Sequence, residues 1–255
     1  MLRVDLNCDL GESTSAEKLA VDAELIAQVT SVNVACGFHA GNLDVMRATV
    51  CMAKTHGVAV GAHPGYPDLE GFGRRDMEMP PGEVQACVLE QIGTLAAISK
   101  AEGVALSHVK PHGALYNKAA VDYETALAIG KAIKLSNGSL MYCGLAGSQM
   151  EKAAAALNLR FASEVFADRA YWGDGTLVPR NQDGAIIEDV EAAATRVLRM
   201  ICEGKVVAID GNDLDLRAST VCIHGDSANA QVFATRIKTV LEAAGVQLLP
   251  MAQIV

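Results

Sequence analysis

The sequence predicts an α/β fold built from βαβ units around a parallel sheet, and three observations carry that prediction. Short β-rich runs alternate with longer Ala-rich stretches, and the alternation continues to nearly the last residue. No Ser/Pro-rich linker interrupts it, so 1–255 is expected as a single domain. Several of the apolar runs end in a histidine closely followed by glycine. From pattern alone, an open doubly wound sheet and a closed barrel both satisfy these observations.

The strand candidates in order are LRVDLN, SVNVAC, GVAVGA, LSHVKP, SLMYCG, LRFASEV and STVCIH. Between them, NLDVMRATVCMAKTHG places Leu43, Met46, Val50 and Ala53 at helical spacing and closes on Gly57 as a C-cap. PPGEVQACVLEQIGTLAAISKAEG opens on prolines, which suit a first helical turn, and also ends in glycine. Similar patterns predict helices near 122–134, 147–157, 188–203 and 228–244. VVAIDGNDLDLRAST reads differently, as two alternating runs about a turn, and predicts a β-hairpin inserted near 205–218.

Composition excludes some functions. Hydrophobic residues make up 51% of the chain and charged residues 20%, which fits a compact domain with a large core. A net charge of -9 argues against a phosphate-tracking nucleic-acid groove, which needs clustered Lys and Arg. No apolar run reaches the ~20 residues of a bilayer span, and MLRVDLNCDLGE lacks the apolar core of a signal peptide. Seven cysteines without a CxxC pair suit a reducing compartment, so a soluble, cytoplasmic protein is expected. GxxxxGK[ST], GxGxxG and GxSxG are all absent, so no P-loop, dinucleotide fingerprint or hydrolase elbow is available.

The strand ends carry the candidate chemistry. In NVACGFHAGN, VAVGAHPGYPD, HVKPHGALY and VCIHGD, the residues His39, His63, His112 and His224 each have glycine within two positions. A parallel sheet puts the carboxyl ends of its strands on one face, where barrels and open sheets hold their sites. These histidines are therefore expected to converge with Asp9 and Glu12 of NCDLGE. A carboxylate with two or three imidazoles can ligate a divalent metal and activate water. The same groups without metal can act as general acid and base near neutral pH.

Lys110 precedes Pro111, which holds it extended and aims it at the pocket as a candidate for a carboxylate or phosphate. Tyr116 packs the following helix or reaches substrate. GYPDLEGFGRRDM, with Arg74 and Arg75, reads as an ordered lid that directs a guanidinium at an anion. EVFADRAYWGDGTLVPR places Glu164, Asp168, Arg169 and Arg180 after a strand.

Read together, DLNCDLGE, ACGFHAGN, GAHPGYPDLEGFGRR, HVKPHGALYN, GLAGS, EVFADRAY and HGD resemble the LamB/YcsF family, that of the A subunits of prokaryotic ATP-dependent 5-oxoprolinases. The resemblance covers nearly the whole chain. It implies a distorted (β/α) barrel of about seven strands, similar to the glycoside hydrolase and deacetylase group. It implies cleavage of 5-oxo-L-proline to L-glutamate with ATP as cosubstrate, together with subunits B and C. On this resemblance Asp9, Glu12, His63 and His112 are the catalytic candidates, and Asp9, His63 and His112 the candidate metal ligands. His39, Arg75, Lys110, Tyr116, Glu164, Arg169, His224 and Asp226 are the candidates for binding substrate. A stand-alone metal-dependent amidohydrolase or deacetylase, and a non-catalytic substrate-binding subunit, are the competing readings. STSAEKL after DLGE, and HGDSANA without a nearby proline, depart from the family's usual pattern and bear on the shape of the pocket.

Overall fold

The computed structural model describes residues 1–223 and 230–255. Its strands are β1 (Arg3–Leu10), β2 (Ser31–Ala35), β3 (Ala59–His63), β4 (Leu106–Val109), β5 (Met141–Leu145), β6 (Phe161–Phe166), β7 (Lys205–Val207), β8 (Asp213–Asp215), β9 (Thr220–Ile223) and β10 (Gln247–Leu248). Its α-helices are α1 (Ala16–Leu25), α2 (Leu43–His56), α3 (Pro81–Ala101), α4 (Gly113–Val121), α5 (Tyr123–Ser136), α6 (Gln149–Ala156), α7 (Val190–Cys202) and α8 (Ala230–Ala243).

Strands β1 to β6 and β9 run parallel in the order β1-β2-β3-β4-β5-β6-β9. Strand β9 then pairs back onto β1, from Asp5 with Thr220 to Cys8 with Ile223, and so closes a seven-stranded barrel. This decides between the open sheet and the barrel that the sequence pattern left open. Strand β10 adds to β1 at its beginning, Arg3 beside Gln247. Strands β7 and β8 form an antiparallel pair with Val206 opposite Leu214.

Helix boundaries follow local chemistry. Asn42 caps α2 by accepting from the Val45 amide, and Gly57, at φ 67°, ends it in the left-handed region that glycine adopts without cost. Pro81 opens α3. Asp122 stops α4 and caps α5 through the Glu124 and Thr125 amides, so one residue separates two helices. Helix α1 is absent from the helices predicted by sequence because it has no apolar stripe: of its residues only Leu25 is buried.

The barrel interior is polar, unlike the stacked branched aliphatics usual in such folds. Alternation in β1 sends Val4, Leu6, Cys8 and Leu10 into the apolar layer under the helices, and Asp5, Asn7 and Asp9 inward. Asp5 accepts from the hydroxyls of Thr30 (2.6 Å), Ser31 (2.5 Å) and Thr220 (2.5 Å). Above it, Asn7 donates to Glu164 Oε1 and Thr220 Oγ1, and Asn33 donates to Asn7 Oδ1 and Asp9 Oδ1. His108 reaches Asn33 Oδ1 at 2.7 Å across Gly61, where a Cβ would lie 2.1 Å from His108 Nε2. Burial and the nearby Lys110 and His63 push the His108 imidazole down to about 3, so it is neutral.

Candidate active site

At the carboxyl ends of the barrel strands lies a cavity of about 660 Å³, lined by Asp9, Glu12, His63, Lys110 and His112. These residues arrive from the ends of three strands, β1, β3 and β4, with β2 between the first two. Asp9 lies in β1, and Glu12 follows Gly11, whose φ of 72° turns the chain. The STSAEKL segment leads into α1, whose Asp22 accepts from the Gly11 amide at 3.0 Å and so steadies the turn carrying Glu12.

The imidazoles are oriented by backbone carbonyls. His63 Nδ1 donates to Lys110 O (2.8 Å) and His112 Nε2 to Phe72 O (2.8 Å). Those bonds fix the tautomers, leaving His63 Nε2 and His112 Nδ1 facing each other at 3.0 Å. Around them stand Asp9 Oδ2, 3.3 Å from His63 Nε2, and Glu12 Oε1, 3.2 Å from His112 Nδ1. His39 stacks on His112 with ring centroids 3.9 Å apart and directs Nε2 at Glu12 Oε1 (3.3 Å).

Lone pairs meeting at such distances repel unless a proton or a cation lies among them. Burial depresses His63, but the Asp9 carboxylate outweighs it and leaves that imidazole above its ordinary value. Burial also opposes charge on Glu12, yet His112 and His39 beside it hold the carboxyl well below the usual range. Burial lowers His112, and brings His39 to about 4.

The same atoms suit a divalent ion. One ligand atom from each of Glu12, His39, His63 and His112 lies within 4.8 Å of the others. Outer donation of His63 and His112 to carbonyls is the arrangement that orients metal-bound imidazoles. Asp9, expected with His63 and His112 in the ligand set, keeps Oδ2 3.3 Å from His63 Nε2 while Oδ1 is bonded to Lys110 and Asn33. Glu12 and His39, expected in catalytic and substrate-binding roles, are the further members of this cluster.

Two cationic candidates are placed differently from their sequence reading. Lys110 Nζ is buried against Asp9 Oδ1 (2.9 Å), Glu164 Oε1 (2.9 Å), Cys222 Sγ (3.0 Å) and Asn7 Oδ1 (3.3 Å). Burial disfavours its charge, but the surrounding carboxylates hold the ammonium well above its ordinary value. Arg75 does not line the cavity; its guanidinium is held by Asp68, inside the loop it was expected to project from. That loop serves the site through backbone instead. Phe72 supplies the carbonyl for His112, and Gly73 leaves room where a Cβ would sit 2.8 Å from His39 Cβ.

Tyr116 lines the cavity with its ring edge-on to Phe166, and burial, with the Glu164 carboxylate beside its hydroxyl, holds the phenol well above its ordinary value. Arg169, Arg74 and Arg180 line the cavity as well. Asp168 is buried, and His224 and Asp226 lie outside the described residues.

Fold and site together define a β/α-barrel protein with a buried carboxylate and histidine centre at the strand ends. The chain belongs to the LamB/YcsF family, whose description matches residues 4–255. It is 51% identical over 253 residues to the 5-oxoprolinase A subunit of Bacillus subtilis strain 168, covering 99% of this chain and 98% of that protein. A lactam utilization protein from Thermus thermophilus is similar in structure, with a TM-score of 0.91, 50% identity, and coverage of 97% of this chain and 99% of that one. The peptidoglycan deacetylase PdaC of Bacillus subtilis shares the fold at a TM-score of 0.50 and 13% identity, covering 99% of this chain and 89% of that one. No described helix is long and apolar enough to cross a membrane.

Proposed function

We propose that this chain, working as one domain, is the A subunit of a cytoplasmic ATP-dependent 5-oxoprolinase that opens the lactam of 5-oxo-L-proline with partner subunits B and C. The observation that carries the reading is the facing pair His63 Nε2 and His112 Nδ1, flanked by Asp9 and Glu12, in a chain about half identical to proteins of that name.

A five-membered lactam is an unactivated amide that recloses readily, so hydrolysis needs activation. Phosphorylation of the amide oxygen by ATP supplies it, and the chain carries no P-loop motif of its own. Water then adds to the activated carbon, giving up a proton to the ionised Glu12 with His112 beside it. His63, which Asp9 holds above its ordinary value against the effect of burial, donates to the ring nitrogen as the C–N bond breaks. The remaining acyl phosphate takes a second water, giving L-glutamate and phosphate. In place of those proton roles, Glu12, His39, His63 and His112 would hold a divalent metal, which when bound would lower the pKa of water and polarise the oxygen on the carbon under attack.

The test is glutamate release from 5-oxo-L-proline by the chain alone and mixed with its candidate B and C partners, with and without ATP. Release is expected only from the complete mixture with ATP. Release by the chain alone without ATP would make it a self-sufficient lactamase and end the multi-subunit reading.

A further inference from the structure

Lys110 is neutralised inside the barrel and Arg75 is held by Asp68, so an anion entering the cavity must be met elsewhere. The cavity is also lined by Arg169 and Arg180. Arg169 is 5% exposed and its Nε has no hydrogen-bond partner. Leaving a buried charged donor unpaired is costly, and such groups persist where a ligand satisfies them.

The side chain is also held in place. Its backbone bridges Ile186, and Nη2 donates to Val178 O at 2.6 Å. Arg180 sits on an exposed part of the same segment, the strap between β6 and α7. Burial, and after it the like charge of Arg180, pulls Arg169 down to about 10, ahead of the opposing effect of Asp168. The Asp174 carboxylate, which also lines the cavity, is turned to Thr176 and accepts from its amide and hydroxyl. Arg74 adds a third guanidinium, stacked 4.9 Å over the Phe72 ring. The amino end of α4, with no side-chain cap at His112, presents Gly113 to the same space. Finally, 660 Å³ is the size of a pocket for a drug-sized ligand, well beyond one five-membered lactam.

We infer that Arg169, seconded by Arg180, receives the phosphoryl group of the O-phosphorylated lactam, so that this chain takes the activated substrate by its phosphate while the Glu12 and histidine centre faces the ring. The inference rests on the oxoprolinase reading and deepens it. A guanidinium fork suits a tetrahedral oxyanion better than a lysine would.

The experiment is calorimetric titration of the full chain with inorganic phosphate, and separately with 5-oxo-L-proline, for the native protein, Arg169→Gln and Arg180→Gln. The exposed Arg180 carries no fold, so its variant stands in if Arg169→Gln does not purify folded. Phosphate affinity is expected to fall about tenfold or more in Arg169→Gln and several-fold in Arg180→Gln, the loss of one or two charge-assisted bonds. Affinity for 5-oxo-L-proline should change by less than about threefold, since its anion is the carboxylate. Three results overturn the assignment: no phosphate binding by the native chain, equal phosphate binding by native chain and variants, or loss of 5-oxo-L-proline binding with phosphate binding intact. The last would make Arg169 the carboxylate's partner. Glutamate release by the native complete mixture is assayed in parallel. Its absence would remove the oxoprolinase reading, whereas the phosphate titrations decide the arginine assignment independently.

Discussion

Replacing Lys110 with methionine keeps the length of the side chain and removes the charge that holds two buried carboxylates together. Each 2.9 Å contact, to Asp9 Oδ1 and Glu164 Oε1, has a gross Coulomb energy of roughly 6 kcal/mol at an effective dielectric of about 20. Most of that is offset by desolvating three charges, but removing the cation alone leaves the desolvation of Asp9 and Glu164 uncompensated. The expected loss is therefore about 3–5 kcal/mol. For a chain of this size that lowers Tm by roughly 6–20 °C. Urea unfolding followed by circular dichroism measures it. The double variant Lys110→Met/Glu164→Gln is expected to be more stable than Lys110→Met by about 1–3 kcal/mol, because one orphaned charge is then gone while Asn7 keeps an acceptor. A loss below about 1 kcal/mol for the single variant, or a double variant weaker than the single, would refute the account of Lys110 as an internal counter-ion.

Three further outcomes follow from the same geometry. Burial, against the hydrogen bonds of Ser31, Thr220 and Thr30, raises Asp5 from 3.8 to about 6, so the folded state holds its proton longer and stability falls as pH rises from about 4 through 6. That rise corresponds to roughly 3 kcal/mol; unfolding free energies of native chain and Asp5→Asn should diverge in the variant's favour by that order between pH 4 and 7, and parallel curves would count against it. Gly61→Ala drives a Cβ into His108, 2.1 Å from Nε2, and should cost about 1–3 kcal/mol or more in chemical unfolding, where a neutral result would contradict the packing described. Glu12→Gln leaves an amide oxygen for His39 and His112 but removes the ionised carboxylate that takes the proton, and glutamate release by the complete mixture is expected to fall roughly 10²- to 10⁴-fold; retained activity would take Glu12 out of the mechanism.

Much of this arrangement was legible in the order of residues, because strands buried on both faces announce themselves as apolar runs and because glycines mark where those runs turn. The convergence of His39, His63 and His112 followed from that alone. What the sequence could not carry was the destination of long side chains. Lys110 and Arg75 both read as free cations, yet a neighbour 101 positions away in one case and 7 in the other claims each of them. The orphaned Nε of Arg169 depends on a strap whose bridges join Arg169 to Ile186 and Tyr171 to Leu177, and no periodicity records such pairings. The polar interior was hidden differently. Asp5 and Asn7 sit in an alternating strand as if facing water, and only closure of the barrel puts them inside. Helix α1 escaped because nothing but Leu25 needs covering.

That closure has a consequence for how the protein is made. The hydroxyl that satisfies Asp5 Oδ2 belongs to Thr220, 215 positions later in the chain. At about 5–20 residues per second, a ribosome exposes the first strand roughly 10–40 s before its last neighbour exists. Until then the barrel cannot close over Asp5 without leaving its carboxylate short of one donor. Only a chain that has been read through β9 can complete both the seam with β1 and the hydrogen bonds beneath it.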